Sequence, residues 1–327
     1  MVIDSDPNLG SLNLERLVDE IATLREGVEA FVALEESGAG PTELYHQVLA
    51  TVHQLCASIV ACEEAGFTRD QIVGVLEPVR RIHARSGFVR RLQEWPRGYP
   101  GDFETVEYLC DGCSRAEQGT IEDICERYSL TRAIAQQHRN KVAHQAAHVM
   151  RTLLDKPGTA RVFSIACGSC PDFRRIAAHL SLLGELWLND SDSDALTFSA
   201  RALQQIHGRI HLRPGNAIKV VRKTAQHGLK FDLVLAGGLF DYLPDEHATY
   251  LIKHAWSLLD AGGVFFFTNI ARGNPYRPLI EYFGDWFLIE RTAEEVMRLC
   301  GEAGIPREAV SITREETGLT LLIELRR

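Results

Sequence analysis

The chain has 327 residues, 45% hydrophobic and 24% charged, with a formal net charge of −9 at pH 7. That length buries a sizeable core and accommodates two domains, while the acidic balance argues against broad contact with nucleic acid or anionic lipid. No run of about 18 or more apolar residues is present to span a bilayer, and the acidic, polar opening MVIDSDPNLG is unlike a secretory or transit segment, so a cytoplasmic protein is expected.

The first third reads as helical. Leu14, Leu17, Val18, Ile21, Leu24, Val28, Phe31 and Val32 follow helical spacing, and the break SGAGPTE offers Thr42 as a cap for a second helix over about 43–64. A third helix begins near Thr68 and carries Ile72, Val75, Leu76 and Val79, with Pro78 expected to kink it. Their apolar stripes are expected to be core or the surface of a homodimer. Glu94 to Phe103, EWPRGYPGDF, then interrupts the run with two prolines and two glycines. Arg97, Tyr99 and Asp102 place a cation, a phenol and a carboxylate within six positions, enough to hold a zwitterion or an oxyanion; alternatively the loop is a rigid connector with Asp102 capping the next helix.

A long helix is expected over about 121–154, with Arg132, Gln136, Asn140, His144 and His148 at successive i, i+4 steps along one face. His144 and His148 have metal-ligand spacing without an adjacent Glu or a third ligand, so no metal is expected. The pairs Cys110/Cys113 and Cys167/Cys170 are likewise read as free thiols rather than a zinc site. DKPG at 155–158 is read as the boundary between a helical domain, 1–155, and a second domain, 156–327.

From Arg161 onward strands and helices alternate, which specifies a Rossmann-like, doubly wound parallel sheet with right-handed crossovers. The final strand, GLTLLIEL, is expected to join antiparallel at the sheet's end. The stretch RVFSIACGSCPD, residues 161–172, reads as a buried strand, a tight turn and a helix start. Such a turn offers unpaired N–H groups and a helix dipole to a nucleotide-like ligand. Asp190 ends the second strand, where a carboxylate can accept ribose hydroxyls. Asn216 and Ala217 follow the third strand, at the adenine edge. Gly237, Gly238, Leu239 and Phe240 follow the fourth, beside the place of reaction. No hydride-transfer acid and base pair is visible.

Residues 161–270 resemble class I S-adenosylmethionine-dependent methyltransferases through VFSIACGSC, LNDSDSDAL, GNA and FDLVLAGGLFDYLPD. More narrowly, RGYPGDF, SIACG, GLFDYL and NP…EYFGDWFLIER are similar to bacterial methyltransferases associated with 3-hydroxy fatty acid methyl ester signals. The resemblance implies S-adenosylmethionine as cofactor and a helical domain covering the catalytic one. Cofactor contacts are expected from Arg97, Gly168, Ser169, Cys170, Asp172, Asp190, Ser191, Asn216, Ala217, Gly237, Leu239 and Phe240. Tyr99, His144 and Asp241 are the catalytic candidates; Arg139, Tyr242, Tyr282 and Trp286 are the substrate candidates. A small-molecule substrate is expected, methylated on a carboxylate oxygen; the aromatic run Tyr276, Tyr282, Phe283, Trp286 and Phe287 equally suits a planar product of secondary metabolism methylated on carbon, nitrogen or oxygen. A noncatalytic S-adenosylmethionine sensor and a nicotinamide oxidoreductase are the alternatives of other classes.

Overall fold

The computed structural model describes residues 7–327, with side chains from residue 16 onward; the readings of the terminus before Pro7 and of Leu14 on the first apolar stripe lie outside the described residues. In chain order the helices are α1 (Pro7–Ala33), α2 (Pro41–Ala65), α3 (Arg69–His83), α4 (Gly87–Glu94), α5 (Phe103–Asp111), α6 (Ile121–Thr131), α7 (Ala133–Asp155), α8 (Pro171–Arg175), α9 (Ser193–Ala202), α10 (Ala217–Gln226), α11 (Asp245–Ser257) and α12 (Ala293–Glu302). The strands are β1 (Ala160–Ile165), β2 (Leu183–Asp190), β3 (Ile210–Pro214), β4 (Phe231–Ala236), β5 (Leu259–Ile270), β6 (Val310–Arg314) and β7 (Thr320–Arg326).

The chain divides into two compact units, and the division does not fall at Asp155. One unit holds the described residues up to Gly101 together with Gly112–Arg132 and Pro275–Phe287; the other holds Asp102–Asp111, Ala133–Asn274 and Leu288–Arg327. The DKPG turn expected to be the boundary lies inside the sheet unit, because α7 before it packs on the sheet through Val149 and Leu153.

The helical unit is built on one apolar cluster that takes Leu24, Val28 and Phe31 from α1, Val48, Val52, Leu55 and Ile59 from α2, Ile72, Leu76 and Val79 from α3, and Tyr128 from α6. The third helix begins where expected, and Thr68 caps it in a capping box with Gln71. For α2 the cap is Gly40, with Pro41 in the first turn, rather than Thr42. By length and composition α2 would also pass as a membrane span, although it holds no continuous apolar run of that length; its buried face, Leu44 to Cys62, lies in the unit's core. The expected helix over 121–154 is two helices, because Arg132 is extended (φ −69°, ψ 158°). The segment after β5 is part of this unit: Asp285 pairs with Arg69 and Arg80, and Arg277 with Glu63.

The sheet unit has seven strands in the order β3-β2-β1-β4-β5-β7-β6. The first five are parallel; β7 runs antiparallel to β5, and β6 antiparallel to β7. The expected terminal strand is thus internal, and β6, which the sequence reading missed, forms the edge. Alternation along the strands separates two cores: Phe163, Ile165, Val234, Ala236, Phe265 and Phe267 on one face, and Val162, Leu186, Leu188, Leu233, Leu235 and Phe266 on the other. With helices on both faces, apolar side chains in both directions are what such a sheet requires.

Candidate cofactor site

The turn after β1 is strained and short. Ala166, Gly168 and Cys170 have φ of 49°, 54° and 52°, a left-handed region that costs any residue but glycine roughly 1 kcal/mol or more. Neither Ala166 nor Cys170 has that freedom, so the surroundings must hold the turn. They do so from β2: the Cys167 N–H donates to Asn189 O at 2.9 Å, and the Gly168 N–H to Asp190 Oδ2 at 2.8 Å. From α9, Ser199 Oγ donates to Gly168 O at 2.8 Å. The helix that follows is a single turn, Pro171–Arg175, and then the chain becomes 3-10 over Ala177–Leu182.

Two expectations are corrected here. The N–H groups of Cys167, Gly168 and Cys170 are not unpaired, since each already has an intramolecular acceptor, and one helical turn supplies little macrodipole. What surrounds the turn instead is negative. Asp190, 7% exposed, accepts the Gly168 and Asp192 N–H groups on its two oxygens, one each; each oxygen retains a lone pair. Asp172 is buried at the start of α8, and Glu107 on α5 accepts from Ser169 Oγ at 2.5 Å while pairing with Arg174. Ser169 is therefore turned to α5.

Burial pushes the Asp172 carboxyl up to about 6 from its ordinary value, against the Phe173 N–H that lowers it. A carboxyl raised in the folded state destabilises it when ionised. The penalty is absent below the unfolded value near 4, grows as pH rises to about 6, and is complete above that. Asp172→Asn is therefore expected to raise stability at pH 7.5 by on the order of 3 kcal/mol, with no gain at pH 4. Urea unfolding at the two pH values checks this; equal effects at both would remove the cause.

The other expected residues divide into groups. Asn216 caps α10, its Oδ1 accepting the Lys219 N–H at 3.2 Å, and Ala217 begins that helix; the neighbouring Gly215 N–H donates to Asp190 O, which ties this turn to β2. Ser191 follows Asp190 directly. Gly237 and Leu239 follow β4 at the same edge of the sheet. Phe240 points into the core against Phe267, leaving its backbone as the part at that edge. Asp241 is buried, accepts the Ile270 N–H at 2.6 Å and lies 3.7 Å from Lys141 Nζ; burial raises its carboxyl and Lys141 opposes the rise. Tyr242 is exposed. Asp102 caps α5, its Oδ1 accepting the N–H groups of Glu104 and Thr105.

The polar stripe chosen on α7 does different work. Asn140 donates to Glu315, and His144 and His148 lie 3.1 and 3.7 Å from Glu316 and Glu324, so this stripe fastens α7 to the β6–β7 hairpin. Arg132 lies beyond the helix, and Arg139 is held by Gln136 and by Leu109 O at 2.9 Å. The buried stripe is one residue along: Gln137 joins Thr320, Lys141 faces Asp241, and Gln145 lies on Gly237. Sequence reasoning missed these three, although they have the same i, i+4 spacing. In the helical unit, Arg97 and Tyr99 follow the left-handed Trp95, with the Gly98 N–H donating to Trp95 O. Tyr282 is buried and donates to Glu63 at 2.6 Å, and the Trp286 N–H donates to Ile280 O. Among the described residues no three His, Cys, Asp or Glu side chains are grouped to hold a metal.

No protein-family model and no curated protein matches the chain. A crystal structure from Bordetella parapertussis, described as a possible exported protein, covers 98% of this chain and 99% of its own at 16% identity, with a TM-score of 0.56. The likeness is one of fold: a Rossmann-like, doubly wound sheet whose antiparallel β7 lies between β5 and the edge strand β6. Weaker similarity extends to magnesium protoporphyrin IX methyltransferase from Synechocystis, over 60% of this chain and 88% of that one at 16% identity, TM-score 0.44. It also extends to a SAM-dependent methyltransferase from Archaeoglobus fulgidus, over 57% and 94% at 14% identity, TM-score 0.42.

Proposed function

We propose that this chain is an S-adenosylmethionine-dependent methyltransferase acting on a small molecule. The observation that carries the reading is the character of the β1 turn. The N–H groups of Cys167, Gly168 and Cys170 are spent on β2 and on the turn itself, and the turn's neighbours include the carboxylates Asp190 and Asp172. A dinucleotide pyrophosphate needs free N–H donors and a helix N-terminus, and meets repulsion here; a sulfonium compound with an ammonium group meets attraction. Asp190 would hold the ribose, and the Asn216–Ala217 turn the base. When bound, the cofactor supplies a methyl group already activated on positively charged sulfur. The chain's own part is to position the acceptor, exclude water and balance charge.

For the acceptor we propose a carboxylate of the hydroxy fatty acid type. Such a group is ionised at neutral pH and asks for a cation rather than a base. Lys141, 6% exposed, is such a cation, and its Nζ would lie 3.5 Å from a Cβ at Gly238. The cytoplasmic placement is kept as part of this proposal.

Calorimetry with S-adenosylhomocysteine and with NADH tests the cofactor: binding of the first and not the second is expected. Asp190→Asn, which keeps one acceptor oxygen for the backbone, should weaken S-adenosylhomocysteine by about 1.5 to 3 kcal/mol, the range for hydrogen bonds to a charged group. An unchanged dissociation constant would refute the ribose assignment.

A further inference from the structure

Three side chains on α7 repeat at i, i+4 and i+8 toward the sheet, all nine-tenths buried or more: Gln137, Lys141 and Gln145. Two are satisfied. Gln137 Oε1 accepts from Thr320 Oγ1 at 2.6 Å while its Nε2 donates to Ile134 O at 2.9 Å, and Lys141 faces Asp241. Gln145 differs. Its Oε1 is buried and has no hydrogen-bond partner among the described residues.

The position of that oxygen is well defined. A Cβ built at Gly237 would meet Gln145 Oε1 at 1.8 Å and Nε2 at 2.2 Å, so glycine is required for the amide to lie where it does. Gly237 directly follows β4, which pairs with β1, so the amide stands at the same edge of the sheet as the β1 turn. A buried acceptor without a donor is costly, and leucine would fill the space without that cost. The amide is placed to serve a group that arrives with its own donor.

We infer that Gln145 is a ligand-binding residue whose Oε1 accepts a hydrogen bond from the ammonium group of a bound amino-acid moiety. A neutral amide oxygen suits a charged N–H donor, and the adjacent Lys141 does not forbid a second cation because Asp241 balances it. On the function proposed above, on which this inference rests, the group is the methionyl ammonium of the methyl donor.

The test compares two ligands that share the adenosine and thioether but differ in the amino-acid part: S-adenosylhomocysteine and 5′-methylthioadenosine. Calorimetry is run on the full chain and on Gln145→Leu and Gln145→Met, with the melting temperature of each variant taken without ligand. Both variants should melt at or above the wild-type temperature, bind S-adenosylhomocysteine about tenfold or more weakly, and bind 5′-methylthioadenosine as the wild type does. Equal weakening of both ligands, unchanged affinity for S-adenosylhomocysteine, or a lowered melting temperature in both variants would overturn the inference and leave Gln145 a packing residue. If the wild type binds neither compound, the cofactor reading itself falls, and the inference with it.

Discussion

Replacing Glu126 by alanine is expected to destabilise the helical unit by about 3 to 5 kcal/mol, because several buried donors lose their acceptor at once. Glu126 is fully buried on α6. Its Oε1 accepts from Ser86 Oγ at 3.2 Å and from the Phe88 N–H at 2.9 Å. Its Oε2 accepts from Ser114 Oγ at 3.0 Å and from the N–H groups of Arg115 and Ala116 at 2.6 and 3.2 Å. One carboxylate thus joins the start of α4 to the segment before α6. Glutamine should recover only part of the loss, since its Nε2 would face donors rather than acceptors. The check is urea unfolding of the full chain followed by a signal from the helical unit; a loss below about 1 kcal/mol would show that water satisfies those donors as well.

Lys141→Met is expected to lower turnover at subsaturating acceptor, kcat/KM, about 10- to 10²-fold, because it removes the cation that would hold the acceptor carboxylate, whose negative charge is present before methyl transfer and lost during it. Affinity for S-adenosylhomocysteine should remain within about twofold. The measurement uses labelled methyl donor with a panel of medium-chain 3-hydroxy acids, and a matching His144→Ala variant. His144 is engaged with Glu316 on the hairpin side of α7, and a carboxylate acceptor has no proton to lose, so that variant should stay close to wild type. Methionine at 141 leaves Asp241 buried without its cation, which burial then favours in the protonated form. The double variant with Asp241→Asn separates the two causes: stability should return and turnover should not. A large loss in His144→Ala with none in Lys141→Met would overturn the carboxylate reading and give the imidazole the role of base.

Much of this architecture was legible from local pattern. The apolar runs VFSIA, FDLVLA and GVFFFTNI, each bounded by glycine or a charged residue, specify strands buried on both faces, and the alternation of strands with helices specifies a parallel sheet. Asp190 was legible because strand length sets where a strand ends. The start of α3 near Thr68 was legible because the turn at Gly66 is local chemistry, and the structure adds a capping box there and another at Thr292. β6 was not, since VSITR is short and half exposed, and it is a strand only because β7 offers it an edge.

The helix face and the ownership of each segment were decided by tertiary packing. On α7 the stripes 136–140–144 and 137–141–145 have the same periodicity and differ by one residue, about 100° around the axis. Composition favoured the first, with its asparagine and histidine; contact with Thr320, Asp241 and Gly237 selects the second as the buried one. In the same way Pro275–Phe287 follows a strand of the sheet unit yet belongs to the helical unit, because Arg69, Arg80 and Glu63 lie there to meet Asp285 and Arg277. Periodicity determines that a helix has a buried side and a strand two faces. Which residues meet across that side depends on partners distant in sequence, and local spacing carries no record of them.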